Sequence, residues 1–170
     1  MVRVAVPDGT VADVRLKHVV ADYGLKAMST THRAVLRLSG GRVLGQAFGM
    51  PAVELHTVGR KTGRERTTML TAPIAEDDRI VLVASKGGDD RDPDWFRNLL
   101  SHPDVALVIG GRRREMRARV ASAEERADLW PRVVGVYRGY GGYQRRTPRE
   151  IPLVICEPRP MDASQPTGRT

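Results

Sequence analysis

The sequence predicts an α+β protein built on an antiparallel barrel. Three observations carry this expectation. About six short runs between Val53 and Cys156 are rich in β-branched residues or alternate apolar with polar, as half-buried strands do. Most are joined by tight turns. Two connections, through Gly59–Arg66 and through Gly110-Gly111, are too short for the crossover a parallel pair needs. Helix-start signals at Asp92-Pro93-Asp94 and at Ser122-Ala123-Glu124-Glu125 fall between strand pairs, which inserts helices into the sheet's connections.

The elements follow in chain order. Val2, Val4 and Val6 alternate like a strand, Pro7-Asp8-Gly9 is a turn signal, and residues 11–23 read as an amphipathic helix. Ser29 or Thr30 is an N-cap for a second helix that runs to about Leu38 and stops at Gly40-Gly41. That helix is basic as well as apolar, so it reads either as packed or as lying against an anionic membrane surface. Val53 to Val58 alternates with period two, and Gly59 to Gly63 makes a hairpin loop. Thr67 to Thr71 returns the chain. Glu76-Asp77-Asp78 turns it again into a third strand, Arg79 to Ala84. The helix from Asp94 presents Trp95, Phe96, Leu99 and Leu100 on one side and stops at His102-Pro103.

Val105 to Ile109 is a buried strand, and Glu115 to Val120 returns antiparallel to it. Ser122 and Glu125 have capping-box spacing. The helix they open carries Leu129, Trp130, Val133 and Val134, with Pro131 set to kink or divide it. Ile151 to Cys156 is the last strand. The domain organisation is then an N-terminal extension over 1–50, partly helical, a barrel over 51–158, and a disordered tail over 159–170 rich in Pro, Ser and Thr.

Composition narrows the function. A chain of 170 residues can bury one core, and 41% hydrophobic with 28% charged residues suits a globular protein. No apolar run reaches membrane-span length, and Met1-Val2-Arg3 does not open a secretory signal. The single cysteine, Cys156, excludes an intrachain disulfide and suits a reducing cytoplasm. The net charge of +8 asks for an anionic partner. Aromatic content of 5% is too low for an extended base-stacking platform, so no nucleic acid is expected. The four histidines, His18, His32, His56 and His102, show no metal-ligand spacing.

Three constellations carry chemistry. Gly59–Arg66 surrounds two glycines with Arg60, Lys61, Arg64 and Arg66 but lacks Walker A spacing, so it is either an anion site or a solvated basic hairpin. Alternation forbids all four cations from facing one ligand. Ser85-Lys86-Gly87-Gly88 leaves a strand with a hydroxyl, a cation and flexible backbone, and the following helix start offers free N–H groups. Tyr137, Tyr140 and Tyr143 stand at spacing three, which would put them on one face of a helix, but the surrounding glycines make the segment a mobile, lid-like loop instead. No catalytic triad, reactive cysteine or carboxylate pair stands out, as expected where a cofactor carries the chemistry.

Together these motifs resemble the deazaflavin-dependent nitroreductase family, which uses reduced 5-deazaflavin coenzyme F-420. The resemblance runs from about Val53 to Pro158. It rests on Thr57–Gly63 with Arg66, Ala84–Gly88, Pro93–Leu99, Glu124–Ala127 with Trp130-Pro131, the three tyrosines, and Ile151–Pro158. It implies a split β-barrel and hydride transfer to a small-molecule acceptor such as a quinone or nitroaromatic. By the same resemblance Arg60, Lys61 and Thr62 hold the phosphate region, and Arg66, Thr67, Thr68, Met69, Leu70 and Thr71 line the cofactor. Val83, Ala84, Ser85 and Lys86 meet the ring, and Asp94, Trp95, Phe96, Arg97 and Asn98 complete the pocket. Tyr140 closes over it, and Ser85, Tyr140, Tyr137 and Tyr143 supply catalytic hydrogen bonds. Thr67-Thr68 and Thr71 depart from the family pattern, where Asn-Pro and an aromatic are common, and Asp94 replaces a frequent apolar residue. The alternatives are a non-catalytic deazaflavin carrier and an FMN-binding split barrel.

Overall fold

The computed structural model describes Gln46, Ala47 and residues 49–159. The strand, turn and helices expected before residue 45 and the tail beyond Arg159 lie outside the described residues. Eight strands are described: β1 (Gln46–Ala47), β2 (Met50–Val58), β3 (Glu65–Thr71), β4 (Ile74–Ala75), β5 (Ile80–Val83), β6 (Asp104–Ile109), β7 (Arg112–Val120) and β8 (Leu153–Pro158). Three helices accompany them, α1 (Asp94–Ser101), α2 (Ala123–Val136) and α3 (Gly139–Arg146).

All seven strand pairings are antiparallel. The sheet runs β1-β2-β6-β7-β8-β5-β4, with β3 also on β2. Residues 53–56 of β2 pair with both β3 and β6, so β3 occupies the edge opposite β6. β3 and β4 therefore sit at opposite ends of the strand order, yet only Ala72 and Pro73 separate them in sequence. The sheet must curl until its ends meet, and no pairing joins β3 to β4 across that seam. This is a split barrel, the α+β architecture the sequence predicts.

Alternation explains which residues fill it. Val53, Leu55, Ile80, Leu82, Leu107, Met116, Ala118, Val154 and Cys156 point inward, where Trp95, Phe96 and Leu99 of α1 join them. The next residues along, Val81, Val83, Leu153 and Ile155, form a second cluster beneath Leu129 and Val133 of α2 and Tyr140 of α3. β5 is thus covered on both faces, which is why it reads as an unbroken apolar run rather than an alternating one. Each such buried Leu, Ile or Val contributes about 1.5–3 kcal/mol of transfer free energy.

The turns and caps also follow local chemistry. Gly110 and Gly111 both have positive φ, 56° and 79°, as a two-residue turn matched to strand twist requires. Ser122 accepts from the Glu125 N–H at 3.2 Å, and Glu125 accepts from the Ser122 N–H at 2.8 Å, so the capping box forms. Pro131 lies inside α2 without ending it. Its missing N–H costs one helical bond near Ala127, and α2 continues because Leu129 and Val133 are buried on either side of it. The tyrosine segment is helical, not an irregular loop: Tyr137 ends α2, and Tyr140 and Tyr143 lie on α3.

Candidate functional site

The loop between β2 and β3 closes on Gly59, whose N–H donates to the Arg64 carbonyl at 2.8 Å and whose carbonyl accepts from Gly63 at 2.8 Å. Asn98 of α1 fastens this loop. Its Oδ1 accepts from the Arg60 N–H at 3.2 Å and the Arg60 guanidinium at 3.3 Å, and its Nδ2 donates to the buried Thr57 hydroxyl at 3.3 Å. The guanidinium also reaches Asp94 Oδ1 at 3.4 Å. Arg60 is therefore turned toward α1. Lys61, Arg64 and Arg66 are exposed, and none has an ion pair among the described residues.

Strand β3 leads away from these cations. It pairs only with β2 among the described residues, and its other edge has no ladder partner among them. Its seven residues span about 20 Å at the usual rise per residue. Register with β2 places Thr67, Met69 and Thr71 on the face of Glu54 and His56, and Arg66, Thr68 and Leu70 on the face of Leu55. At the far end, the Thr71 hydroxyl lies 3.1 Å from the Tyr140 hydroxyl.

Three tyrosines gather there. The rings of Tyr137 and Tyr140 meet edge-on at 5.3 Å, and Tyr143 lies 6.1 Å from Tyr140 and 6.3 Å from Tyr137. Tyr140 is buried, its hydroxyl also within 3.9 Å of Met50 Sδ. Burial raises its pKa. The hydrogen bond with Tyr137, followed by burial, raises that of Tyr143. Both phenols stay neutral at and beyond neutral pH.

The segment after β5 supplies the remaining groups. Ser85 is buried, and its hydroxyl makes no hydrogen bond among the described residues. Lys86–Gly88 is a 3-10 turn in which Lys86 adopts φ 47°, a left-handed conformation uncommon outside glycine. Asp89 accepts two hydrogen bonds from the Arg91 guanidinium, at 3.0 and 2.9 Å, with the Lys86 ammonium 3.8 Å away. These bonds, the Arg91 pair foremost, hold the Asp89 carboxyl well below the usual carboxylate range. Gly88 packs directly on α3, so the turn and the tyrosine helix touch.

Of the residues expected from sequence, the fold brings together Arg60, Lys61, Thr62, Arg66, Asp94, Arg97 and Asn98 around the hairpin and the start of α1. It brings Thr71, Tyr137, Tyr140 and Tyr143 together at the far end of β3. The side chains of Val83, Ala84, Trp95 and Phe96 turn into the two apolar clusters, which leaves chiefly their backbone for a ligand, and that of Leu70 packs half-buried against one of them. Trp95 and Phe96 pack edge to face at 6.1 Å as core residues. His56 lies between Glu54 and Glu65, at 3.1 and 3.0 Å, on the outer face. Burial pushes the Cys156 thiol up to about 12, which leaves it a core residue and not a nucleophile.

Two residues here were not legible as site residues. Arg149 reaches the backbone of Ala84, Ser85 and Asp89, and Gln144 of α3 holds the Arg149 segment. Arg149 stands in the short polar connection after α3, and Gln144 is a lone polar residue beside Tyr143; neither belongs to a motif. Among the described residues no cluster of His, Cys, Asp and Glu could hold a metal ion, and no helix is long and apolar enough to cross a membrane.

The site then consists of a basic hairpin, a strand about 20 Å long whose outer edge has no partner among the described residues, and a phenol cluster near a buried serine. The donor set fits a deazaflavin with a phosphodiester and glutamate tail: exposed cations with no ion pair among the described residues at one end, neutral hydroxyls at the other. The comparisons agree. The family described as F420H(2)-dependent quinone reductase matches residues 28–158, and this chain belongs to it. The match begins well before Val53, where the resemblance legible in the sequence started.

Among relatives, the F420H(2)-dependent quinone reductase Rv1261c of Mycobacterium tuberculosis strain H37Rv is 38% identical over 133 residues, 75% of this chain and 88% of its own. A solved structure of an F420-H2 dependent reductase, FDR-A, is 36% identical with a TM-score of 0.58, over 63% of this chain and 94% of that one. A second, described as a domain-swapped dimer, is 33% identical with the same TM-score of 0.58, over 74% of this chain and 98% of that one.

Proposed function

We propose that this chain transfers a hydride from reduced coenzyme F-420 to a quinone, with the tail anchored at the Gly59–Arg66 hairpin and the ring at the Ser85–tyrosine end. The observation that carries this is the span of β3. One strand joins the exposed cations at Lys61, Arg64 and Arg66, which have no ion pair among the described residues, to the Thr71–Tyr140 pair.

When bound, the reduced deazaflavin supplies the hydride. The chain's own residues do the rest. The side chains of Lys61, Arg64 and Arg66 hold the phosphodiester and carboxylates, because the N–H groups of Gly59, Arg60, Thr62, Gly63 and Arg64 already bond within the loop or to Asn98. Arg60 is already engaged with Asn98 and Asp94, so it shapes the loop more than it binds. Thr67 to Thr71 offer the β3 edge along the cofactor. The Ser85 hydroxyl and one phenol of the hydrogen-bonded Tyr137–Tyr143 pair donate hydrogen bonds to the acceptor oxygen as it gains negative charge, while the other phenol donates within the pair. Tyr140 is a buried wall between ring site and core. The proton that completes hydroquinone formation comes from solvent or from a phenol that solvent reprotonates.

The test titrates purified protein with the deazaflavin, FMN and an oligonucleotide, then follows oxidation of reduced deazaflavin on adding menadione. Tight deazaflavin binding with menadione-dependent oxidation is expected. Binding without oxidation would make the chain a carrier, and preference for FMN would sink the reading.

A further inference from the structure

We infer that Arg149 is a positioning residue that fixes the Ser85–Lys86 segment against the tyrosine helix, an inference that rests on the function proposed above. The segment needs such a clamp. Between Ala84 and Asp92 it has no strand or α-helical pairing, and Lys86 sits in a left-handed conformation that is unfavourable for a residue with a side chain unless its surroundings impose it.

Arg149 imposes it. The side chain is only 16% exposed. One terminal nitrogen donates to the Ala84 carbonyl at 2.9 Å and to the Ser85 carbonyl at 3.1 Å. Nε donates to the Asp89 carbonyl at 2.9 Å, and the other terminal nitrogen reaches Asp92 Oδ1 at 3.0 Å. One rigid fork therefore holds both ends of the turn at once. A lysine ammonium is a single point donor and cannot reproduce that geometry.

The other end of the clamp is on α3. Gln144 Nε2 donates to the Arg149 carbonyl at 2.8 Å, and Gln144 Oε1 accepts from the Ile151 N–H at 2.9 Å. Gln144 follows Tyr143 directly. The chain of bonds Tyr143 helix, Gln144, Arg149, Ser85 carbonyl thus sets the distance between the serine hydroxyl and the phenols. Catalytic groups on two separate elements need such a tie, because a misplacement of about 1 Å can cost about 100-fold in rate.

Arg149→Lys and Arg149→Gln test this with two readouts. The first does not use the cofactor. Trypsin cleavage after Lys86, followed by mass spectrometry, is expected to accelerate about fivefold or more as the turn opens locally, with cleavage at the distant Arg112–Arg114 turn unchanged. Equal acceleration at both places, or none after Lys86, overturns the clamp. Arg149→Lys decides the matter if Arg149→Gln fails to fold.

The second readout is kinetic. Arg149→Lys is expected to lower kcat by about tenfold or more while the deazaflavin Kd, set by the tail anchor, moves less than about threefold. Guanidinium ion at millimolar concentration is expected to restore part of the rate to Arg149→Gln. An unchanged kcat, or a loss wholly in Kd, overturns the positioning role. Failure of the wild type to oxidise reduced deazaflavin strikes the proposed function instead, and the proteolysis result still reports on Arg149.

Discussion

The hydroxyls of Thr71 and Tyr140, 69 residues apart in sequence, meet at 3.1 Å. The bond joins the end of β3 to the centre of α3, across the edge of the apolar cluster that holds Met50 and Ile151. Tyr140→Phe removes one partner with little change in packing and is expected to cost about 1 kcal/mol in urea denaturation. Thr71→Val leaves the buried phenol with only the long, weak bond to Met50 Sδ at 3.9 Å and is expected to cost about 1–2 kcal/mol. Because the two share one bond, the double variant should lose less than the sum. Strict additivity would remove the bond from the account.

Affinity for the cofactor's charged tail should depend on Lys61 and Arg64 in a salt-sensitive way. Both are exposed and without an ion pair among the described residues, so each variant to alanine is expected to weaken deazaflavin binding about threefold to tenfold at low ionic strength. The effect should shrink as salt screens the site. Arg132→Ala is the control, since that guanidinium already pairs with Glu76 at 3.0 Å. A fluorescence titration at two salt concentrations separates these outcomes. Equal losses for Lys61 and Arg132 would mean the hairpin is no anchor.

Most of the barrel was legible because its strands alternate. Val53, Leu55 and Thr57 face in while Glu54 and His56 face out, and that pattern is local to the chain. Strand ends were less legible. β7 begins at Arg112, not near Glu115, because four consecutive polar residues can pair in a ladder without announcing it. β4 was missed for a related reason: two residues, Ile74-Ala75, bear no period. The site divides in the same way. Glycines and cations flagged both loops, since those residue types are needed there whatever the fold. Their internal use was not legible, because the Asn98–Arg60 and Arg149–Ser85 bonds join positions 38 and 64 residues apart. Only the topology that wraps β5 beside β8 and lays α1 across the hairpin makes them neighbours.

Acid should loosen the start of α2. Hydrogen bonds from Arg119, then from the Ser122 N–H, lower the Glu125 carboxyl to about 2, below its ordinary value of 4.5. A carboxylate depressed in the folded state contributes stability above its unfolded value and loses it as pH falls through the folded one. The contribution is therefore complete above about pH 5 and lost between 4.5 and about 2. Ser122→Ala, which breaks the other half of the box, is expected to cost about 1 kcal/mol at neutral pH. Glu125→Gln should flatten the acid limb of the stability curve; an unchanged limb would assign it to other carboxylates.

Gly87 and Gly88 are neighbours with positive φ, 68° and 85°, yet they should respond very differently to alanine. At Gly87 a Cβ meets nothing within 4 Å, so the cost is the left-handed backbone alone, about 1–2 kcal/mol. At Gly88 a Cβ would lie 2.9 Å from the Tyr143 carbonyl and 3.1 Å from Arg146 Cβ. The first of these is backbone and cannot rotate away, so α3 must shift, adding about 1–3 kcal/mol of overpacking. That shift carries Tyr143 with it, so Gly88→Ala should also lower the rate of quinone reduction when Gly87→Ala leaves it near wild type. Thermal melts and steady-state kinetics on the two variants check both parts. If they behave alike, the contact between the Lys86–Gly88 turn and α3 does not position the tyrosines.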